Sequence, residues 1–291
     1  MTGPPALRKP PWLKVPLPRD GRFREVRGTL KACGLSTICE EALCPNRTEC
    51  FQSGTATFLI LGDVCSRNCR YCNVKHGTPL PPDEGEPERI AVAAEKLGLR
   101  YIVLTSVTRD DLEDGGARHF ARCVEALRRT GTARSVEVLV PDFRGNRESF
   151  ETVARAEPDV VNHNLEVVES LFGAVRPGGD YRRSLGLLAD MKREYGRVTK
   201  SGIMVGLGER EEEVLALFGD LAAAGCERLT IGQYQQPSRN HWPVRKYYHP
   251  DEFERLRERA IEAGIGHVNA GPLVRSSYRA AEMAAKEVHR T

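Results

Sequence analysis

Six of the chain's nine cysteines fall between Cys39 and Cys72, in two runs. Cys39, Cys44 and Cys50 are spaced C-x4-C-x5-C; Cys65, Cys69 and Cys72 are spaced C-x3-C-x2-C. Each run offers three thiols and no fourth. A structural zinc ion takes a closed tetrahedron, normally two C-x2-C pairs or a Cys/His set. The second run has a single C-x2-C, and His76 would have to be recruited to close it. A 4Fe–4S cube held by three thiolates is different, because it leaves one iron free for an outside ligand. The spacing of the second run favours the cube. Isolated free cysteines are usually small buried hydrophobes. That reading suits the unspaced Cys33, Cys123 and Cys226, but not three thiols in twelve residues among Glu, Asn and Arg.

Something must hold these runs in place. From residue 55 onward, apolar stretches rich in strand formers alternate with helical patterns. The strand candidates are 55–62, 101–107, 135–141, 159–166, 200–208 and 227–236; the helices are 87–98, 116–129, 147–156, 180–195, 209–224 and 250–264. Pro87 and Gly98, and Pro250 and Gly264, punctuate two of the helices. Strands alternating with helices imply crossovers to parallel neighbours and a sheet buried on both faces. Six units are too few to close eight strands, so the expected architecture is α/β: a partial (βα)6 TIM-like barrel with N-terminal and C-terminal extensions. Its chemistry would gather beyond the C-terminal ends of the strands. The second cysteine run directly follows the first strand. The expected division is an extension over 1–54 carrying the first run, a barrel over 55–270 and a tail over 271–291.

Composition narrows the partners. Of 291 residues, 43 are Lys or Arg and 40 are Asp or Glu, a net charge of +3 spread along the chain. No basic stripe marks a nucleic-acid surface, and no apolar run reaches the 18 or so residues that span a bilayer. Residues 1–18 are broken by prolines, have no apolar core like a secretory signal, and read as an extended arm. Clustered thiols without an export signal point to a reducing, cytoplasmic setting, where they bind metal more often than they pair.

With Tyr71 before its last cysteine, C-x3-C-x2-C resembles the signature of the radical S-adenosylmethionine family. The resemblance implies a 4Fe–4S cluster on Cys65, Cys69 and Cys72. Its open iron would be chelated by the amino and carboxylate groups of S-adenosylmethionine, which yields a 5′-deoxyadenosyl radical. The likeness then widens. Both cysteine runs, GPLVRSSYRA (271–280), and stretches such as TSVTRDDLEDGGA, EVLVPDFRGN and TKSGIMVGLGE resemble lipoyl synthases over nearly the whole chain. In that family the first run, here Cys39, Cys44 and Cys50, holds an auxiliary 4Fe–4S cluster, and the first serine of R-S-S-Y, here Ser276, is its fourth ligand. Oxygen matches iron less well than thiolate, so such a cluster could be dismantled as a sulfur source.

Further residues follow from the same likeness. GIMVGLGE approximates the family's G-x-I-x-G-x-x-E with Met204 for isoleucine, which assigns Gly202, Gly206 and Glu209 to the cosubstrate. NHNLE resembles a biotin synthase stretch that meets the ribose, which assigns Asn164 and Glu166, leaving His163 structural. Tyr71 would meet adenine mainly through its backbone. DGGA (114–117) lacks the acid that usually ends a glycine-rich turn of this kind and reads equally as the start of a helix. RNHWPVRKYY (239–248) could grip an acidic partner, line an acyl channel or be a solvated loop. The implied activity is insertion of two sulfur atoms at carbons 6 and 8 of a protein-bound octanoyl-lysine. The implied partners are octanoylated lipoyl carrier domains (2-oxoacid dehydrogenase E2, glycine cleavage H protein) and a reductant such as flavodoxin or ferredoxin, with no nucleic acid and no membrane. Biotin synthases and methylthiotransferases lack the first run followed by R-S-S-Y. The non-enzymatic alternative is an adaptor with both runs closed on zinc by histidines.

Overall fold

The computed structural model describes residues 7–14, 21–42, 44, 46–52 and 57–285. Parts of the expected arm (1–6 and 15–18), the expected boundary at 54/55 and the end of the tail (286–291) lie outside the described residues. A 3-10 turn (Pro11–Leu13), α1 (Gly21–Ala32), β1 (Ser36–Thr37), α2 (Ile38–Glu41) and α3 (Arg47–Gln52) lead into β2 (Thr57–Ile60). Two short strands, β3 (Val64–Cys65) and β4 (Lys75–His76), bracket the second cysteine run. Then follow α4 (Glu86–Leu97), β5 (Tyr101–Ser106), α5 (Ala117–Thr130), β6 (Ser135–Leu139), α6 (Arg147–Arg155) and β7 (Val160–Asn162). The chain continues through α7 (Glu169–Val175), α8 (Tyr181–Arg193), β8 (Val198–Val205), α9 (Glu211–Ala223), β9 (Arg228–Gln233), α10 (Pro250–Glu262), β10 (His267–Gly271) and α11 (Ala280–Ala285).

The main sheet has the order β1-β2-β5-β6-β7-β8-β9-β10, with β1 antiparallel and every later neighbour parallel. Its first and last strands do not pair, so the sheet is an open barrel, as expected. Beyond the six expected strands it gains a parallel neighbour for β9, namely β10, and an antiparallel edge strand, β1. Each barrel helix covers the outside with one apolar stripe. In α9, Val214, Leu217, Phe218 and Leu221 are buried at i, i+3, i+4 and i+7. These stripes and the outward strand residues form two apolar clusters, one around β2, β5 and β6 and one around β8 and β9. The described part of the arm is anchored at Trp12 and Leu13. Leu13 is fully buried, and Trp12 donates from Nε1 to the Tyr248 carbonyl at 3.2 Å while its ring meets His249 edge-on at 5.0 Å.

The inward residues form layers. One layer is a polar floor: Lys200 Nζ lies 2.9 and 3.1 Å from the Glu137 carboxylate, which also accepts from Asn162 Nδ2 at 2.8 Å and Tyr101 Oη at 2.6 Å. Glu137 and Asn162 are fully buried, Lys200 almost so. The charged groups are paired, as burial requires, while Asn162 Oδ1 is buried without a partner. Two residues further along the strands, Gly202 pairs in register with Thr230, and there the interior opens into a cavity.

Candidate active site

The cavity has a volume of about 330 Å³ and lies at the C-terminal ends of the strands. Both cysteine runs reach it: Cys39 and Cys44 from the first, Cys72 from the second. Tyr71, Asn164, Glu166, Gly202 and Ser276 complete the part of its wall foreseen from sequence.

The first run is held from both sides. β1 pairs with β2 through Ser36–Leu59 and Thr37–Phe58, which places α2 and Cys39 at the barrel edge. The Cys44 amide donates to the Cys39 carbonyl at 3.0 Å and that of Cys50 to the Asn46 carbonyl at 2.9 Å. Asn46, buried, donates from Nδ2 to the Leu273 carbonyl. Tyr278 Oη and Arg279 Nη2 each reach Glu49 Oε1 at 3.0 Å. The R-S-S-Y segment is thus strapped onto α3, bringing residues more than 220 positions apart in sequence beside one another.

The second run is pinned by backbone. Cys65 Sγ accepts from the Thr108 and Arg67 amides at 3.3 and 3.4 Å, and the Cys72 amide donates to the Cys69 carbonyl at 3.0 Å. Part of the basic-aromatic loop clasps it. The Trp242 amide donates to the Arg70 carbonyl at 2.8 Å, His241 Nε2 lies 3.1 Å from the Cys72 carbonyl, and the Arg70 guanidinium lies over the Trp242 ring. In the same loop Arg239 and Arg245 are exposed, and Lys246 pairs with Glu252 at 2.7 Å.

Burial pushes the Cys39 and Cys72 thiols up to about 12, with each one's neighbouring cysteines adding to the shift. Burial raises Cys50 further, with Cys39 and Cys44 contributing next. It also raises Cys44 and Cys69, offset in part by Arg275 beside the one and Arg176 beside the other. Such thiols ionise only for a cation, and a metal ligand must be a thiolate. Among the described residues no three His, Cys, Asp or Glu converge as a single ion would need.

Asn164 stands at the centre. Its Nδ2 donates to Glu166 Oε1 at 2.9 Å and to Ser276 Oγ at 2.6 Å, while its Oδ1 is buried without a partner. A Cβ on Gly202 would lie 2.7 Å from that Oδ1 and 2.8 Å from both Ser276 Oγ and Thr230 Oγ1, so only glycine leaves this polar cradle open. Glu166 has φ 71, its carbonyl accepts from Met204 and its amide donates to Gly202. Burial raises its carboxyl, offset by Arg176, the Asn164 hydrogen bond and Arg275. Arg176 Nη1 donates to the Asn164 carbonyl at 2.6 Å. His163 is fully buried, its Nδ1 2.8 Å from the Val140 carbonyl, and burial lowers its pKa to about 3. That is the structural role expected.

Two residues assigned to the cosubstrate stand apart from the cavity wall. Glu209 accepts from the Gly206, Leu207 and Gly208 amides at 2.5, 2.9 and 3.0 Å and from Tyr248 Oη at 3.0 Å, so its carboxylate is spent on the turn after β8. Gly206 has φ 100 and packs against Gln233 and the Lys246 carbonyl, which a Cβ would strike. DGGA is a helix start: Asp114 accepts from the Gly116 and Arg118 amides, and Gly116 packs on Leu61. Arg176 and Thr230 are cavity residues that sequence reasoning missed, because single polar residues in separate elements carry no spacing signal; Arg275, the arginine of R-S-S-Y, also lines the cavity, though only Ser276 of that motif was singled out.

Comparison with known proteins decides the family. The family model of the Radical SAM superfamily matches residues 59–221. A lipoyl synthase of Nitratidesulfovibrio vulgaris is 53% identical over 276 residues, covering 95% of this chain and 92% of its own. The chain belongs to the lipoyl synthase family. A second lipoyl synthase, from Alkaliphilus metalliredigens, is 49% identical over 276 residues, covering 94% and 95% of the two chains. Among solved structures, methylornithine synthase (PylB) superposes with a TM-score of 0.55 at 11% identity over 84% of this chain and 81% of its own, a likeness of fold. Membership makes this a radical S-adenosylmethionine enzyme, a sulfurtransferase using that cosubstrate and 4Fe–4S clusters. Thiols of both cysteine runs near Arg176 and Arg275, the unpartnered Asn164 amide oxygen and the room left by Gly202 fit those groups. Among the described residues no helix is long and apolar enough to cross a membrane.

Proposed function

We propose that this chain inserts two sulfur atoms, at carbons 6 and 8 of a protein-bound octanoyl-lysine, and draws them from a sacrificial 4Fe–4S cluster. The observation that carries the reading is that both cysteine runs and Ser276 contribute to one cavity. A radical centre made on a carbon chain must meet its sulfur donor before it meets anything else, so both must face the same enclosed space.

Cys65, Cys69 and Cys72 would hold the cluster that binds S-adenosylmethionine. When bound, the two together supply a 5′-deoxyadenosyl radical able to remove hydrogen from unactivated carbon. The protein's part is orientation. Asn164 offers its free Oδ1 and Glu166 its carboxylate to a hydroxyl-bearing ligand, Gly202 leaves room for it, and Tyr71 borders it. Gly206 and Glu209 would act at one remove by shaping the turn after β8. Cys39, Cys44, Cys50 and Ser276 would hold the sulfur-donating cluster, a substrate rather than a lasting cofactor. In this arrangement the expected extension over 1–54 and tail over 271–291 would supply its ligands, and 55–270 would be the barrel. The partners would be octanoylated carrier domains of 2-oxoacid dehydrogenase E2 and glycine cleavage H protein, with a cytoplasmic flavodoxin or ferredoxin as reductant.

The test is an anaerobic assay with an octanoyl-lysine peptide, following mass gain and 5′-deoxyadenosine together. Alanine at Cys65, Cys69 or Cys72 should abolish both. Alanine at Cys39, Cys44 or Cys50 should spare 5′-deoxyadenosine and abolish sulfur insertion. Normal lipoyl product from the latter set would end the sacrificial-cluster reading.

A further inference from the structure

We propose that Arg67 is the positioning residue of the second cysteine run, the side chain that locks the loop of Cys65, Cys69 and Cys72 to the other loops at the mouth of the barrel. The proposal rests on the reading of that run as a cluster site. Arg67 lies midway between Cys65 and Cys69 in sequence, so fixing it fixes the loop on both sides. Its Nε and Nη2 form a fork on Asp110 at 2.7 and 2.9 Å, and Nη2 also donates to Asp142 Oδ1 at 2.7 Å. Asp142 is fully buried, and its other oxygen accepts from Arg183 Nε at 2.9 Å. Arg183 in turn donates from Nη2 to the Gly178 carbonyl at 3.0 Å, and a Cβ on Gly178 would come within 3.5 Å of Arg67 Cδ.

The quartet therefore ties the cysteine loop to the segments after β5 and β6, to the α7–α8 connection and to α8 itself. Neighbouring residues add to the tie. The Ser66 amide donates to the Thr108 carbonyl at 3.0 Å, and Ser66 Oγ accepts from the Asp110 amide at 3.0 Å. Two cations and two carboxylates balance in charge, so what the quartet contributes is geometry. None of the four lines the cavity, so the network acts from behind the thiols, as the groups supporting metal ligands commonly do. A planar fork on one carboxylate with a further donor on a second is a task for arginine and not for lysine.

Arg67→Lys and Arg67→Gln would be made in two backgrounds of the full chain. In one, Cys39, Cys44 and Cys50 are alanine; in the other, Cys65, Cys69 and Cys72 are alanine. The readouts are iron loss to a chelator without oxygen, and the EPR spectrum of the reduced cluster with and without S-adenosylmethionine. In the first background iron loss should quicken about tenfold or more, within the 10–100-fold range that loss of a supporting group costs. Gln should exceed Lys, and the spectral response to S-adenosylmethionine should shrink. In the second background neither variant should alter iron loss. Equal acceleration in both backgrounds, or no acceleration in the first, overturns the proposal. If the first background with Arg67 intact binds no iron at all, the reading of the cysteine run is what has failed. Should either variant not fold, Asp110→Asn removes the fork's more exposed partner, and the same differential is expected.

Discussion

Replacing Gly202 by alanine puts the site's geometry under its sharpest strain. The added Cβ would lie 2.7 Å from Asn164 Oδ1 and 2.8 Å from Ser276 Oγ and Thr230 Oγ1, where ordinary contact starts at 3.4 Å. Three oxygens must each retreat by roughly 0.6 Å, and Asn164 cannot simply rotate away because its Nδ2 is bound to both Glu166 and Ser276. Gly202 does not have a positive φ, so the cost is steric alone. Overpacking of this kind costs about 1–3 kcal/mol. Much of it falls on the side chains that face the cosubstrate, and at 1.4 kcal/mol per decade the affinity should drop roughly 10- to 100-fold. The assay is equilibrium binding of S-adenosylmethionine to anaerobic, cluster-loaded protein, with iron content and the denaturant midpoint measured alongside. Iron at the second cysteine run, which the Cβ does not approach, should be unchanged. An alanine variant that binds with undiminished affinity would refute the claim that this cradle receives the cosubstrate.

Other outcomes follow from the same geometry. Ser276→Cys should offer iron a better-matched ligand, so that the auxiliary site keeps its iron longer and sulfur transfer falls; undiminished transfer would count against a labile oxygen ligand. Lys200→Met strands the Glu137 carboxylate in the barrel floor, at a cost of about 3–5 kcal/mol in denaturant unfolding. Adding Glu137→Gln should recover part of that loss, and a single variant as stable as the parent would contradict the buried pair. His163 has its pKa lowered to about 3 in the folded chain, against about 6.5 when unfolded. Between those values the unfolded state binds the extra proton, so stability rises with pH, by at most about 1.4 kcal/mol per unit. The contribution is complete above pH ~6.5. His163→Gln should flatten the slope of unfolding free energy between pH 4.5 and 6.5; an unchanged slope would remove His163 as its source.

The strand–helix alternation was legible because strands such as β2 and β5 carry apolar runs and the intervening helices carry an apolar stripe. β10 escaped because HVNAG is half-buried along its length and carries no such run. α7 escaped because it is short and follows directly on the residues read as a strand. The floor was hidden for a different reason. Glu137 is a lone charge among the valines of β6 and Lys200 sits in the polar first half of β8, and only the register of β6, β7 and β8 brings them together. In the site, the cysteine runs stood out by their spacing, whereas Asn164, Glu166 and Gly202 came from the family resemblance; these three and Cys39, Cys44 and Cys72 border the cavity. Gly206 and Glu209 shared a motif with Gly202, yet the turn consumes their polar groups. Arg67, Arg176 and Arg275 act through partners distant in sequence, which no spacing rule announces.

The straps from Asn46 to Leu273 and from Glu49 to Tyr278 and Arg279 join the opening of the chain to its close, across sequence separations of 227 to 230 residues. Contacts so remote are costly in loop closure and come late in folding. Because Val274, Arg275 and Ser276 border the same space as Cys39, Cys44 and Cys72, cutting these straps would breach that chamber beside both thiol triplets at once.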